Sequence, residues 1–214
     1  MNRITFITGY YGSGKTEVAI NLAILKQIPF VIDLDIINPY FRSRETEELL
    51  KEHHIQVLSS GKEKSKYTDL PYISGEVFAP FFEQSTSAIY DLGGNDIGAK
   101  LLRQFESFEE EIDLLLAINI FRPETDNVEK IEDLIRKIES MGGRKVTGLI
   151  NNTNLLKETT NETVLEGEKI VKAVAKNTGL PIKYTCIEKR LLNPMYHYEG
   201  ETLPLTIYLR KKWY

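Results

Sequence analysis

Short runs of almost unbroken apolar residues alternate along this chain with longer segments whose apolar positions recur every three or four residues. The runs at residues 4–8, 30–33, 88–91, 114–119, 146–151 and 182–186 are mostly hydrophobic rather than alternating, the pattern of strands covered on both faces. Between them, residues 15–26, 43–53, 98–108, 127–141 and 162–178 carry the helical period. In the fourth segment Val128, Ile131, Leu134, Ile135 and Ile138 form one stripe, and Gly142-Gly143 supplies the stop. This order predicts βαβ units, hence a layered α/β domain with six core strands in a mostly parallel sheet. Residues 59–74 contain charges, Gly61 and Pro71 but little periodicity, and predict an irregular insertion able to form a lid within one domain spanning 1–214.

The first strand-to-helix junction reads Gly9-Tyr10-Tyr11-Gly12-Ser13-Gly14-Lys15-Thr16, a complete G-x-x-x-x-G-K-T phosphate loop. The glycines let successive backbone N–H groups face phosphate, and the helix start adds the positive end of its dipole. Lys15 is expected to neutralise the β- and γ-phosphates and the Thr16 hydroxyl to take a magnesium position. Tyr11, Gly12, Ser13, Gly14 and Glu17 complete the expected nucleotide contacts around Gly9, Lys15 and Thr16. Tyr10 and Tyr11 either cover the phosphates or pack against neighbouring loops.

Two further segments supply carboxylates. The second strand ends Asp33-Leu34-Asp35, where period-two spacing puts both side chains on one face of an extended chain, within reach of the metal and the attacking water. Asn38-Pro39 then turns the chain away, and Asn38 and Arg42 are expected in a switch segment. Asp91 closes the apolar run Ala88-Ile89-Tyr90 and precedes Leu92-Gly93-Gly94. In a phosphate-loop protein an aspartate there commonly holds magnesium through water, with Gly93 and Gly94 giving close approach to the γ-phosphate.

In this order, residues 9–16, Asp33-Leu34-Asp35 and Asp91-Leu92-Gly93-Gly94 resemble the MinD/ParA-like, SIMIBI-class group of phosphate-loop ATPases over most of the chain. The resemblance implies a three-layer αβα P-loop NTPase fold. It also implies Lys15 and Thr16 on phosphate and magnesium, Asp35 on water as a catalytic partner of Lys15, Asp33 supporting the metal, and Asp91 reaching magnesium through water. It further implies an ATP- and Mg2+-dependent, slow hydrolase that acts as a nucleotide switch, forms a nucleotide-dependent homodimer and signals to a protein partner. One position departs from the group, whose loop carries a lysine where this chain has Tyr10. Arg42, Arg44 or Arg122, each in a loop at the active edge, is expected to supply the missing charge.

The fifth strand continues into Asn151-Asn152-Thr153-Asn154, which lacks the acidic residue of a guanine-reading Asn-Lys-x-Asp loop. The resemblance to the ATPases, in which an asparagine at the end of this strand contacts adenine, implies Asn151 or Asn152 in that role, with residues 187–193 closing the other side. A GTP-binding protein and an ATP-dependent small-molecule kinase or ligase stand as alternatives.

Composition narrows these choices. A formal net charge of −4, from 27 basic and 31 acidic residues, gives no overall attraction to nucleic acid. No apolar run approaches the roughly 20 residues of a membrane span, and no signal segment precedes the first strand, so a cytoplasmic protein is expected. Cys186 is the only cysteine, which disfavours iron–sulfur handling, and His53, His54 and His197 form no metal pattern. The tail 205–214 joins a basic cluster to aromatics. Packing of its apolar side is the expectation, ahead of membrane or nucleic-acid contact.

Overall fold

The computed structural model describes residues 1–35, 44–59 and 74–209. Eight strands form one sheet in the order β3-β2-β4-β1-β5-β6-β7-β8: β1 Ile4–Thr8, β2 Phe30–Asp33, β3 Gln56–Ser59, β4 Ala88–Asp91, β5 Ile112–Ile118, β6 Gly148–Asn151, β7 Ile182–Glu188 and β8 Glu201–Leu205. Every pairing among them is parallel. The helices are α1 Lys15–Lys26, α2 Arg44–Glu52, the short α3 Ala79–Phe82, α4 Asp96–Leu102, α5 Val128–Gly142 and α6 Asn161–Thr178.

Alternate residues of each strand feed two separate cores. Ile4 and Phe6 of β1 join Ile32, Tyr90, Leu114 and Leu116 beneath α4, α5 and α6, through Leu101, Ile131, Leu134, Ile135 and Val171. Ile7, Val31, Ile89, Leu115 and Ala117 face the other way, onto Val18, Ile20 and Leu22 of α1 and Leu50 of α2. Two apolar faces require helices on both, which is why β1, β4 and β5 are buried along their whole length and the architecture is αβα.

Connectivity places the cleft. From β1 the chain builds β2 and β3 beyond β4 on one side, then β5 to β8 on the other. The loops after β1 and its neighbours diverge there, leaving a crevice outside the carboxyl ends of the strands. The Phe6 and Tyr90 rings stack with centroids 4.4 Å apart, which locks β1 to β4. Asp91 thus sits beside Ile7, one residue before the end of β1.

The sheet has two strands more than the apolar pattern predicts. β3 is a half-exposed edge strand with only Val57 and Leu58 apolar, and β8 is an edge strand containing Pro204, a residue that a central strand would not accept. The helix expected over 98–108 begins earlier, where the Asn95 side chain accepts a hydrogen bond from the Gly98 N–H at 2.9 Å. It ends at Leu102 and passes into a 3-10 turn, Arg103–Phe105. β6 starts at Gly148, two residues after the expected start, although Val146 is buried. The insertion expected over 59–74 lies outside the described residues from 60 to 73.

Candidate functional site

Gly12 and Gly14 both adopt left-handed φ, 79° and 81°, and the Ser13 N–H donates to the Tyr10 carbonyl at 3.0 Å. The loop closes tightly, and Gly14 caps α1 without a side-chain bond, so no capping side chain stands over the start of the helix. Close backbone approach is required throughout. A Cβ on Gly94 would lie 1.9 Å from the Gly9 carbonyl oxygen, and one on Gly14 would lie 2.4 Å from Asn152 Nδ2.

Lys15, Thr16, Asp33, Asp35 and Asp91 are all buried at this junction. Lys15 Nζ pairs with Asp35 Oδ2 at 2.6 Å, and Thr16 Oγ1 donates to Asp91 Oδ2 at 2.5 Å. Asp33 Oδ1 accepts the Asp35 N–H at 3.0 Å, bending the chain just past β2 so that Asp35 reaches Lys15. Gly93 lies against Asp35, where an added Cβ would come within 3.5 Å of Oδ1. Burial pushes the Asp91 carboxyl up to about 6, with Lys15 and Thr16 pulling it back down and Asp35 adding to the rise.

The residues present suit magnesium. Asp91 Oδ1 is buried with no hydrogen-bond partner among the described residues, and the Thr16 hydroxyl occupies the other oxygen. Both are hard oxygen donors. Among the described residues no group of three or more His, Cys, Asp or Glu forms a metal cage. A small divalent ion held by one or two protein oxygens plus phosphates needs no such cage.

A cavity opens from this cluster along α1. Its walls are Tyr11, Gly12 and residues 14–17, then Asn152, Thr153, Asn154, Leu156, Thr159 and Val164, then Cys186 and Glu188 of β7, and finally Leu205, Ile207 and Leu209. Cys186 is buried, and burial pushes its pKa up, so it faces the cavity as a neutral thiol. Asn152 Nδ2 donates to the Ser13 carbonyl at 2.7 Å and links the wall to the phosphate loop. Arg190 Nε, 2.9 Å from Glu188 Oε1, fixes that carboxylate at the cavity edge.

Other expected residues are placed differently. Asn151 does not line the cavity. Its Nδ2 donates to the Val164 carbonyl at 3.2 Å and its Oδ1 accepts the Thr153 N–H at 3.2 Å, so both amide atoms hold the β6–α6 turn. Glu17 lines the cavity, yet its carboxylate accepts backbone N–H groups of Tyr208 and Leu209. Tyr10 packs on the core beneath α4 and α5, whereas Tyr11 is 62% exposed at the cavity mouth. Of the three arginines, Arg122 reaches the loop, its Nε donating to the Gly12 carbonyl at 3.0 Å. Asn38 and Arg42 lie outside the described residues, as do the Arg44 side chain and residues 210–214.

Glu188, within the 187–193 loop expected to close the other side, lines the cavity, whereas motif reading missed the 205–209 segment as a wall. The available signal was the alternation Leu205, Ile207, Leu209, which puts three apolar side chains on one face of an extended chain.

No protein-family model matches the chain, and no curated protein matches it. Solved structures share its fold. It is similar to cell division protein FtsY from Thermotoga maritima, with a TM-score of 0.53 and 18% identity over 86% of this chain and 61% of that one. The signal recognition particle receptor FtsY from Elizabethkingia anophelis gives a TM-score of 0.51 and 14% identity, covering 95% and 62%. FlhF complexed with GMPPNP/Mg2+ gives 0.47 and 15%, covering 76% and 59%. The chain thus spans about three-fifths of the length of the solved structures it matches. At these identities the likeness is one of fold, the three-layer P-loop NTPase architecture.

Proposed function

We propose that this protein binds ATP with magnesium in the cleft after β1, hydrolyses it slowly and acts as a nucleotide-dependent switch. The observation that carries the reading is the joint burial of Lys15, Thr16, Asp35 and Asp91 beside a loop closed by two left-handed glycines. Burial of four such groups costs free energy unless they are mutually paired, and Lys15–Asp35 and Thr16–Asp91 are the pairs seen here. Triphosphate would compete with Asp35 for the Lys15 ammonium. Asp35, once released, accepts a hydrogen bond from the attacking water, with Asp33 holding its backbone in place.

Magnesium, when bound, supplies charge neutralisation on the β- and γ-oxygens, and Thr16 and Asp91 are the residues that would hold it. Gly94 brings the β4–α4 loop against the phosphate loop and Gly93 brings it against Asp35, so that occupancy at one is felt at the other. Arg122, on the Gly12 carbonyl, is the described candidate for the charge that Tyr10 cannot provide.

Exposed apolar residues support the switch reading and its homodimer. Tyr11, Ile97, Phe121, Leu155, Leu192 and Met195 all follow the carboxyl ends of parallel strands, on the face where nucleotide would sit. Exposed apolar side chains at that edge suit an interface whose formation depends on the ligand. Among the described residues no helix is long and apolar enough to cross a membrane.

One observation favours GTP as a second reading. Glu188 lines the cavity with its Oε1 paired to Arg190, and a carboxylate is the acceptor type that guanine's N–H edge requires. Titration calorimetry with Mg2+ tests both. Micromolar binding of ATP is expected, with GTP weaker and turnover reduced at least hundredfold in Lys15→Ala. Sedimentation with a nonhydrolysable ATP analogue should show self-association that Lys15→Ala lacks. Equal handling of ATP by wild type and Lys15→Ala would refute the reading.

A further inference from the structure

Past β8 the chain runs as a strap along α1, held by two side chains one helical turn apart. Asn21 Oδ1 accepts the Thr206 N–H at 2.8 Å while its Nδ2 donates to the Thr206 carbonyl at 2.9 Å. Glu17 Oε1 accepts the Tyr208 N–H at 2.6 Å, and Oε2 accepts the Leu209 N–H at 3.2 Å. Both anchors are buried on the helix that begins with Lys15 and Thr16, and their spacing of four puts them on one face. Backbone bonds to a carboxylate are charge-assisted and stronger than neutral ones, which suits an element that must keep its place.

The Thr206 N–H and carbonyl and the Tyr208 and Leu209 N–H groups are thereby engaged on α1, and Ile207 and Leu209 line the cavity. Leu205, Ile207 and Leu209 share the lining of the cavity with Asn152 and Asn154. Branched aliphatic side chains and amides lining one cavity match a flat aromatic heterocycle, whose faces are apolar and whose edge carries donors and acceptors. We propose that residues 206–209 form the base-binding wall of the nucleotide site, and that Glu17 is the positioning residue that ties this wall to the phosphate loop. The proposal rests on the nucleotide reading above and adds a division of labour. Lys15 and the loop hold phosphate, while Glu17, one helical position beyond Thr16, sets the base subsite through the strap rather than by touching nucleotide.

The test separates the two subsites by ligand. Wild type, Glu17→Ala, Ile207→Ala and Leu209→Ala are titrated with ATP, GTP and inorganic tripolyphosphate in the presence of Mg2+, with thermal unfolding followed on each. The strap variants should bind the preferred nucleoside triphosphate about tenfold more weakly, because less apolar surface is buried against the base, and tripolyphosphate within about twofold of wild type. Glu17→Gln, which keeps one acceptor oxygen, should fall between Glu17→Ala and wild type. Ile207→Ala changes only the strap surface and keeps the test decisive where Glu17→Ala is unstable. Unchanged nucleotide affinity in folded strap variants would overturn the proposal, as would an equal loss of tripolyphosphate. A wild type that binds ATP and GTP no better than Lys15→Ala does would instead overturn the nucleotide reading itself.

Discussion

At the phosphate end of the cleft, Lys15, Thr16, Asp35 and Asp91 are each no more than 5% exposed and are paired with one another, within loops where backbone meets backbone. At the other end, the cavity is assembled from the β6–α6 turn, β7 and the strap after β8, where the aliphatic side chains of Leu156, Val164, Leu205, Ile207 and Leu209 contribute to its walls. The first arrangement depends on charge balance and on atoms that cannot move apart. The second depends on summed apolar packing, which is spread over many side chains and tolerates exchange of any one. Damage at the phosphate loop should therefore be steep and at the proposed base wall graded.

Gly94→Ala is the most severe way to break this contrast. The added Cβ would stand 1.9 Å from the Gly9 carbonyl oxygen and 2.9 Å from the Tyr10 nitrogen, both backbone atoms. Neither loop can yield, because the Leu92 N–H donates to the Ile7 carbonyl at 2.9 Å just before it. A stability loss of about 3 kcal/mol, with loss of nucleotide turnover, is expected in urea denaturation and activity measurements. Gly75→Ala is the control, since a Cβ there meets nothing within 4 Å. Equal stability of the two variants would show that the loops are not locked together.

Titration of Asp91 comes next in size. Its carboxyl is raised to about 6, so between the ordinary aspartate range near 4 and about 6 the folded protein keeps a proton that the unfolded chain has released. Stability of the metal-free protein from this group is therefore full below about 4 and declines as pH rises through about 6, by roughly 1–3 kcal/mol. Asp91→Asn removes that decline. Denaturation in chelator across this pH range measures it as the difference between wild type and variant, and parallel profiles would sink the assignment.

The same contrast explains what the sequence revealed. The phosphate end was legible because its chemistry is local: residues 9–16 lie on one loop, and Asp35 and Asp91 sit at or just past strand ends that apolar runs marked. The base end is a meeting of segments remote in sequence, with Glu17 and Tyr208 separated by 191 positions, and no spacing rule announces it. Asn151 reads as a ligand by type and place, yet its amide is consumed by Val164 and Thr153, which only the folded turn discloses. β8 escaped notice because Pro204 reads as a breaker until the strand is known to lie at an edge. β3 escaped because two apolar residues are too few to show a period.

Asn152 stands at the boundary and gives the smallest and most discriminating effect. Its backbone N–H donates to the Ile118 carbonyl at 2.8 Å, and its side chain holds the Ser13 carbonyl at 2.7 Å while lining the cavity. Asn152→Ala removes one neutral hydrogen bond, worth about 1 kcal/mol, and frees the outer side of the phosphate loop near Gly14. Because the loop itself loosens, tripolyphosphate and ATP should both weaken by about fivefold, whereas the strap variants weaken ATP alone. Calorimetry on the two ligands decides between these patterns. A loss confined to ATP would move Asn152 wholly into the base end and place the boundary between the subsites at Ser13.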